Sequence, residues 1–351
     1  MEKKLFQKSI FKGIFPFVLS VLLLAVSFQS CQKDEILPGY DPESELNQSG
    51  LLKSAFISAE DIDAVIQRIQ SYLSAGDLES GLANAFIVKL ENAKKSLEKG
   101  NEEASINQVQ ALFNQVEGLL NAGKIDASTG EGIIFDLKVL VGENPTFTDT
   151  RDKHEYKTIK IGDQVWMAEN LAFKTETGCY FYGENTPELI DHPEYEELAL
   201  SILGRLYTWD AAVAACPPGW HLPTDAEWTE LANFLIDNGY GYEGIGDDIA
   251  KALADTEYWY EITSGYANAP GSNAITNNSS GFSGRPGGYR YEPSPEAFEF
   301  LSISEIANWW SATGVDERAN AWLLSYASGK LQNLDNIPKN TIAFSVRCIR
   351  D

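Results

Sequence analysis

The chain has 351 residues and a formal net charge of −24, from 27 basic and 51 acidic side chains. This length predicts about two domains, and a hydrophobic content of 44 % is enough for at least one sizeable core. The negative charge disfavours binding to nucleic acid and to anionic lipid, because like charges repel. Three histidines and four cysteines leave little material for a metal centre or a nucleophile cluster.

Residues 1–30 have the organisation of an export signal. Basic residues precede an apolar run at 14–28, and about 15 apolar residues are short for a membrane span. The run ends at Ser30-Cys31, which resembles the lipobox of bacterial lipoproteins, and the charged residues 32–35 resemble the surface-export signal of Bacteroidetes lipoproteins. The resemblance implies that Cys31 is lipidated and that the protein is an outer membrane lipoprotein facing the cell exterior. The alternatives are an N-terminal membrane anchor and a conventional cleavage that leaves Cys31 an ordinary thiol.

Residues 31–55 predict a flexible tether, and residues 56–141 predict a small helical bundle. The tether contains prolines and glycines with little apolar periodicity. In the bundle, Ser58 and Asp61 form a capping box at the start of the first helix. Three amphipathic stripes each end at a glycine, which predicts three antiparallel helices, and a shorter apolar set closes the region. The glycines are Gly76, Gly100 and Gly123.

Two segments of this bundle carry a family resemblance. LENAKKSLEKGN at 90–101 and ALFNQV at 111–116 resemble the FIMAH modules of secreted, often polysaccharide-associated bacterial proteins. The alternative is an unrelated bundle that acts as a spacer.

Beyond a turn-rich joint at 142–149 the pattern changes, and we predict an α+β domain over residues 147–351. All eight tryptophans lie in this part of the chain. Gly162-Asp163 predicts the turn of a hairpin. Thr224 and Glu227 form a capping box that starts a helix, and a short second helix is expected at 248–254. After about residue 260 we expect a loop-rich region. Strands are expected within it at 321–326 and 342–349.

Six ordered motifs in this domain carry a second resemblance. They are VWMAENL at 165–171, GRLYTW at 204–209, CPPGWHLPTDAEW at 216–228, PGGYR at 286–290, WSAT at 310–313 and FSVRCIR at 344–350. In this order they resemble the Fibrobacter succinogenes major paralogous domain. Two of the motifs are also similar to the formylglycine-generating enzymes, which implies a C-type-lectin-like architecture. Fold alone does not establish function.

The resemblance bears on the cysteines. In lectin-like folds the terminal strand lies near the first helices, which implies a Cys216–Cys348 disulfide, and export favours oxidation. Cys179 then remains as a lone thiol. We identify no catalytic residue, because the three histidines are dispersed and no nucleophile motif is present. An oxidoreductase related to the formylglycine-generating enzymes is the enzyme alternative, and it would need a reactive cysteine pair.

A binding site is expected in the region 279–313, where aromatic side chains and glycines are concentrated. Sugars stack on aromatic rings and bond to polar side chains, so such a region favours a carbohydrate ligand. The ligand-binding candidates are Arg285, Tyr291, Asn308, Trp309 and Trp310, and packing inside the fold is the alternative for each. We expect His221 to be a packed imidazole. No cofactor is expected; calcium at Asp247-Asp248 or Asp316-Glu317 is an alternative, although neither pair follows an EF-hand pattern.

These observations predict a lipid-anchored surface protein with a helical spacer and a non-catalytic lectin-like head. Its partners would be the outer membrane, through the lipid, and a polysaccharide or a surface protein. A structural or adhesion role, in which the head binds another protein, is the alternative from a different class. The sequence does not identify the ligand.

Overall fold

The computed structural model describes residues 57–184, 194–294 and 297–351. The described residues fall into two compact units, which are divided between Glu143 and Asn144. The predicted signal peptide at 1–30 and the whole of the predicted tether at 31–55, with Cys31, lie outside the described residues. The prediction of an α+β chain, helical first and mixed second, is confirmed.

Residues 57–143 form four helices, one more than predicted. They are α1 Ala59–Ala75, α2 Ser80–Glu98, α3 Glu102–Asn121 and α4 Ala127–Leu140. The predicted capping box of α1 is present, with the Asp61 amide donating to Ser58 Oγ over 2.9 Å. The short apolar set forms α4, because Asp126 caps its first turn and Ile133 and Leu137 are fully buried.

One apolar core holds these helices together. Phe86, Leu90, Leu112 and Val116 are fully buried at its centre. Their spacing follows the helical repeat, so each helix presents one apolar face inward. The helical prediction therefore succeeded where the periodicity was strongest.

The second unit consists of short strands and helices in the described residues. Its strands are β1 Phe147–Thr148, β2 Glu155–Tyr156, β3 Thr158–Ile161, β4 Gln164–Met167, β5 Cys179–Tyr180, β6 Leu206–Tyr207, β7 Trp220–His221, β8 Gly287–Ser294, β9 Ala297–Ile303, β10 Ile306–Val315, β11 Arg318–Ser325, β12 Gln332–Pro338, β13 Ile342–Ser345 and β14 Ile349–Arg350. Its helices are α5 Glu194–Leu203, α6 Trp209–Ala215, α7 Asp225–Asp237 and α8 Ala250–Leu253.

Two main sheets organise the strands among these residues. The larger has the order β12-β11-β10-β8-β13-β6-β5, with β9 added to β8, and the smaller has the order β3-β4-β14-β7. β10 pairs with β11 on one side and with β8 and β13 on the other. It is therefore a central strand. The predicted β3–β4 hairpin is present, with Gly162 at φ +62° in its turn.

The expectation of a loop-rich region after residue 260 agrees with residues 260–286 but is wrong for residues 287–338, which form the five strands from β8 to β12. The strand expected at 321–326 overlaps β11, and the one expected at 342–349 overlaps β13 and β14. Bulges interrupt the register in β8, β10 and β11, and β12 is polar and half-exposed, so regular alternation is lost. The short helix expected at 248–254 is confined to Ala250–Leu253.

A tryptophan cluster fills the core beside α7. The ring of Trp228 lies 4.8 Å from that of Trp166, 5.8 Å from that of Trp309 and 5.9 Å from that of Trp322, centroid to centroid. Arg347 is fully buried beside this cluster and donates to the carbonyls of Met167, Phe282 and Ser283 and to Asn170 Oδ1. Burial lowers the Arg347 pKa to about 9.

The predicted Cys216–Cys348 disulfide is present. It joins the end of α6 to the residue before β14 across 132 positions of sequence. The bond closes the fold because it ties the last strand to the motif that precedes α7.

Candidate functional site

Three of the five ligand-binding candidates are buried, so the prediction that they contact a ligand at the surface is wrong. Trp309 and Trp310 have no exposed area, and Asn308 is 3 % exposed. The reason is their place on the central strand β10. Trp309 Nε1 donates to Asn170 Oδ1 over 2.9 Å, and Trp310 Nε1 donates to the Tyr207 carbonyl over 2.6 Å. These side chains build the core.

Arg285 is mostly buried and is bonded within the fold. Its Nε lies 2.9 Å from Asp255 Oδ2, and its Nη1 donates to the Ile202 carbonyl over 2.8 Å. Tyr291 is 38 % exposed on β8. Of the five candidates, all of them in the described part of the chain, Tyr291 is the one that solvent reaches readily.

A different set of aromatic side chains forms a partly exposed surface, which we call the aromatic face. It consists of Tyr180, Tyr182, Phe298 and Phe300 around Arg290. Arg290 lies opposite Phe300 in the β8–β9 register, and opposite residues share one side of a sheet. Phe298 lies two residues before Phe300, so it projects to the same side. Strand pairing thus places side chains from both strands together.

Ring contacts hold the aromatic face in place. The ring centroids of Phe300 and Tyr182 lie 5.2 Å apart, and those of Phe298 and Phe300 lie 5.9 Å apart. The Arg290 guanidinium stacks 3.9 Å from the centroid of Tyr180 and 4.6 Å from that of Phe298. Phe298 is 37 % exposed, whereas burial raises the pKa of Tyr182 to about 12.

This arrangement is ordered and suited to non-covalent binding. Glu292 pairs with the Arg290 guanidinium and fixes its orientation over the rings. Exposed ring surface can accept the apolar face of a ligand, and the partly exposed Glu292 carboxylate can accept hydrogen bonds beside it. The aromatic run at 180–182 and the two phenylalanines at 298 and 300 are the signal in the sequence that could have indicated this face.

His221 is not the packed imidazole that we expected. Its side chain is 39 % exposed and lies between two carboxylates, with Nε2 2.7 Å from Glu227 Oε1 and Nδ1 2.7 Å from Asp351 Oδ1. The hydrogen bond to Glu227, with that to Asp351, raises the His221 pKa to about 9. Burial acts to raise the Glu227 pKa, but the bonds from His221 and Thr224 outweigh it and lower that pKa to about 2.

Glu227 also completes the predicted capping box of α7. Its Oε2 accepts from the Thr224 amide over 2.7 Å and from Thr224 Oγ1 over 2.8 Å. The His221 contact therefore links β7, the N-terminus of α7 and the segment after β14. This cluster of side chains holds the ends of these elements together.

The two acidic pairs considered for calcium contact other protein groups: the backbone carbonyls of Asp316 and Glu317 accept from Lys339. Asp247 pairs with Lys330 Nζ at 2.8 Å, and Asp248 accepts from the Tyr242 amide and from Asn268. Within the residues described by the structure, no group of three or more histidine, cysteine, aspartate or glutamate side chains could hold a metal ion. Cys179 is a free, half-buried thiol. No helix among these residues is long and apolar enough to cross a membrane.

Comparison with known families agrees with both resemblances seen in the sequence. The model of the FIMAH domain matches residues 62–142, and that of the Fibrobacter succinogenes major domain (Fib_succ_major) matches residues 159–350. No curated protein and no solved structure matches the chain. The C-type-lectin-like architecture and the lipid anchor stay predictions. Because the second match covers more than half of the 351 residues, the chain belongs to the Fibrobacter succinogenes major domain family.

Proposed function

We propose that this protein is a surface-exposed outer membrane lipoprotein whose C-terminal domain is a non-catalytic, lectin-like head that binds glycan. The two matched families together indicate a surface or adhesion-type protein. The aromatic face is the single observation that carries the glycan proposal. Its partly exposed rings and its fixed Arg290–Glu292 pair have the chemistry with which proteins hold sugar rings.

The ligand would lie against Phe298, with its hydroxyl groups toward the Glu292 carboxylate, which the buried Arg290 holds in place. Sugar rings have an apolar face formed by C–H groups, which stacks on aromatic side chains, while their hydroxyls need charged or amide partners. Tyr291 lies on the same strand as Arg290, one residue further along, so it projects to the other side of the sheet. We therefore place the glycan on the Phe298 side and leave Tyr291 out of it.

A glycan array probed with the purified full-length protein tests this proposal. We expect binding to one or a few related glycans. The array is read together with a panel of extracellular proteins immobilised beside the glycans. If no glycan binds and a protein does, the head is an adhesion module and the glycan proposal is wrong.

The proposed location in the outer membrane is tested separately, by substitution of Cys31. Cys31→Ala should abolish lipid labelling and release the protein from the membrane fraction. Neutral residues in place of Lys33, Asp34 and Glu35 should leave lipidation intact and reduce accessibility to external protease. A wild-type protein without lipid would overturn the lipoprotein assignment.

The enzyme alternative has its own readout. An oxidoreductase related to the formylglycine-generating enzymes would need a reactive pair of thiols. Thiol titration of the non-reduced, unfolded protein counts them. With Cys31 lipidated and the disulfide intact, we expect one thiol, that of Cys179.

A further inference from the structure

A groove lies between the β3–β4 hairpin and α7. Its volume is about 580 Å³, and it is lined by residues 161–164 of the hairpin and by one side of the helix. Ile161 and Phe234 are the two large apolar side chains in this lining; Ile161 is buried and Phe234 is half-buried. Phe234 packs directly on the turn, where a Cβ on Gly162 would come within 2.8 Å of its ring.

The walls of the groove are fixed by the core. Gln164 is 7 % exposed, and its Nε2 donates to the Glu227 carbonyl of α7 over 2.9 Å. Its Oε1 accepts from Trp166 Nε1 over 3.1 Å, so the hairpin is tied to both the helix and the tryptophan cluster. The groove is therefore formed before any ligand arrives.

Three carboxylates stand in this lining without a basic partner. Asp163 and Glu230 are exposed at the rim, and neither has an ion pair in the described part of the chain. Asp225 accepts from two neutral donors, Trp322 Nε1 at 3.0 Å and Asn320 Nδ2, and these leave its negative charge in place. No lysine, arginine or histidine lines the groove.

We propose that this groove binds a short peptide segment of a partner protein that combines lysine or arginine with a large apolar residue. The apolar side chain would lie on the half-buried Phe234 ring, and the basic side chains would face Asp163 and Glu230. Charge complementarity to a negative rim selects such a segment and speeds its approach to a protein of net charge −24.

The inference is independent of the glycan proposal, since the groove and the aromatic face share no residue. The test uses the full-length protein and the labelled pentapeptide Ac-KLKFK-amide, with binding followed by fluorescence anisotropy. Asp163→Asn and Glu230→Gln should each weaken binding about two- to fivefold, which is the range of single rim charges. The double variant should weaken it about tenfold.

Controls separate a site from general attraction. Asp237→Asn removes the same charge from an exposed position on α7 outside the groove and should leave binding unchanged. Ac-KGKGK-amide lacks the apolar residues and should bind more weakly. Ac-ELEFE-amide should not bind. Thermal melts of each variant check that the fold is kept.

Several outcomes would overturn the proposal. Equal loss in Asp237→Asn would show attraction by net charge alone. Equal binding of Ac-KGKGK-amide would show that the apolar side chains of the peptide do not contribute to binding. Absence of binding of Ac-KLKFK-amide would reject a basic, apolar peptide as the occupant. None of these results would affect the glycan array.

Discussion

Individual tryptophans determine the stability of the C-terminal unit. Trp228 and Trp309 are fully buried, and their ring centroids lie 5.8 Å apart. Trp309 also satisfies its indole N–H on Asn170, which in turn accepts from Arg347. Removing such a ring leaves a cavity and also breaks a buried hydrogen-bond network.

We therefore expect Trp309→Ala to behave as a core variant. It should lower the free energy of unfolding by about 3–5 kcal/mol, as should Trp228→Ala. Tyr291→Ala, at an exposed site on the neighbouring β8, should cost less than about 1 kcal/mol. Urea denaturation of the three variants provides the measurement. A mild effect of Trp309→Ala would contradict the central position of β10.

The His221 cluster makes stability depend on pH. The pKa of His221 is raised in the folded protein, so its contribution is full below the ordinary pKa of 6.5 and is lost as pH rises toward about 9. The pKa of Glu227 is lowered, so its contribution is present above 4.5 and is lost as pH falls toward about 2. The half-exposed position of the histidine keeps the effect small through solvent screening.

The expected result is a Tm that falls between pH 6.5 and pH 9, with a smaller slope in His221→Gln. His154→Gln is the matched control, because His154 lies outside this cluster. Thermal melts at intervals of half a pH unit measure the slope. Parallel curves for the wild type and His221→Gln would show that the charge of His221 does not contribute.

At the scale of elements, the β8–β9 pair carries the aromatic face, and its geometry depends on one glycine. Gly288 has φ +62°, a conformation that side chains rarely adopt, and a Cβ there would lie 2.2 Å from the Leu301 carbonyl oxygen of β9. Its neighbour Gly287 has its nearest contact at 3.4 Å, to Ser345 Oγ. A side chain is therefore excluded at Gly288 but has room at the adjacent Gly287.

Gly288→Ala should destabilise the protein by about 2 kcal/mol or more, since strain and a backbone clash act together. Gly287→Ala should cost less than about 1 kcal/mol. Chemical denaturation compares them directly. If the two variants are equally stable, the close approach of β8 to β9 is not a constraint on this fold.

Local patterns explain which elements the sequence could predict. The capping boxes of α1 and α7 and the hairpin turn at Gly162 depend on residues within a few positions, so the sequence alone was sufficient for them. Of the strands from β8 to β12, only β11 was expected, at 321–326. The others were missed because bulges interrupt β8 and β10 and because β12 is polar and half-exposed, so regular alternation is lost. The burial of Trp309 depends on which strands flank β10, and the aromatic face depends on the pairing of Arg290 with Phe300. Neither is a local property.

At the scale of the whole molecule, the disulfide stabilises only the second of the two units. Cys216 and Cys348 close a long loop within the second unit, whereas the described helical residues contain no cysteine. In the chain-entropy model a loop of this length contributes about 4–5 kcal/mol.

Cys216→Ala combined with Cys348→Ala should therefore destabilise the C-terminal unit by about that amount and leave the helical transition unchanged. Cys179→Ala is the control thiol variant and should shift neither transition by more than about 1 kcal/mol. Near-ultraviolet circular dichroism follows the tryptophan core of the second unit, and the far-ultraviolet signal that remains after this transition follows the helices at 57–143. A shift of that remaining far-ultraviolet transition in the double variant would contradict the prediction.

The central claim, that the head binds glycan through the aromatic face, is tested most directly by calorimetric titration of the best glycan from the array. Phe298→Ala should weaken binding about three- to tenfold with an unchanged Tm, as expected for an exposed stacking ring. Tyr266→Asn is the matched control, because Tyr266 is 63 % exposed elsewhere at φ +55°, a conformation that asparagine tolerates. Equal affinity of Phe298→Ala and the wild type, or equal loss in Tyr266→Asn, would contradict the claim.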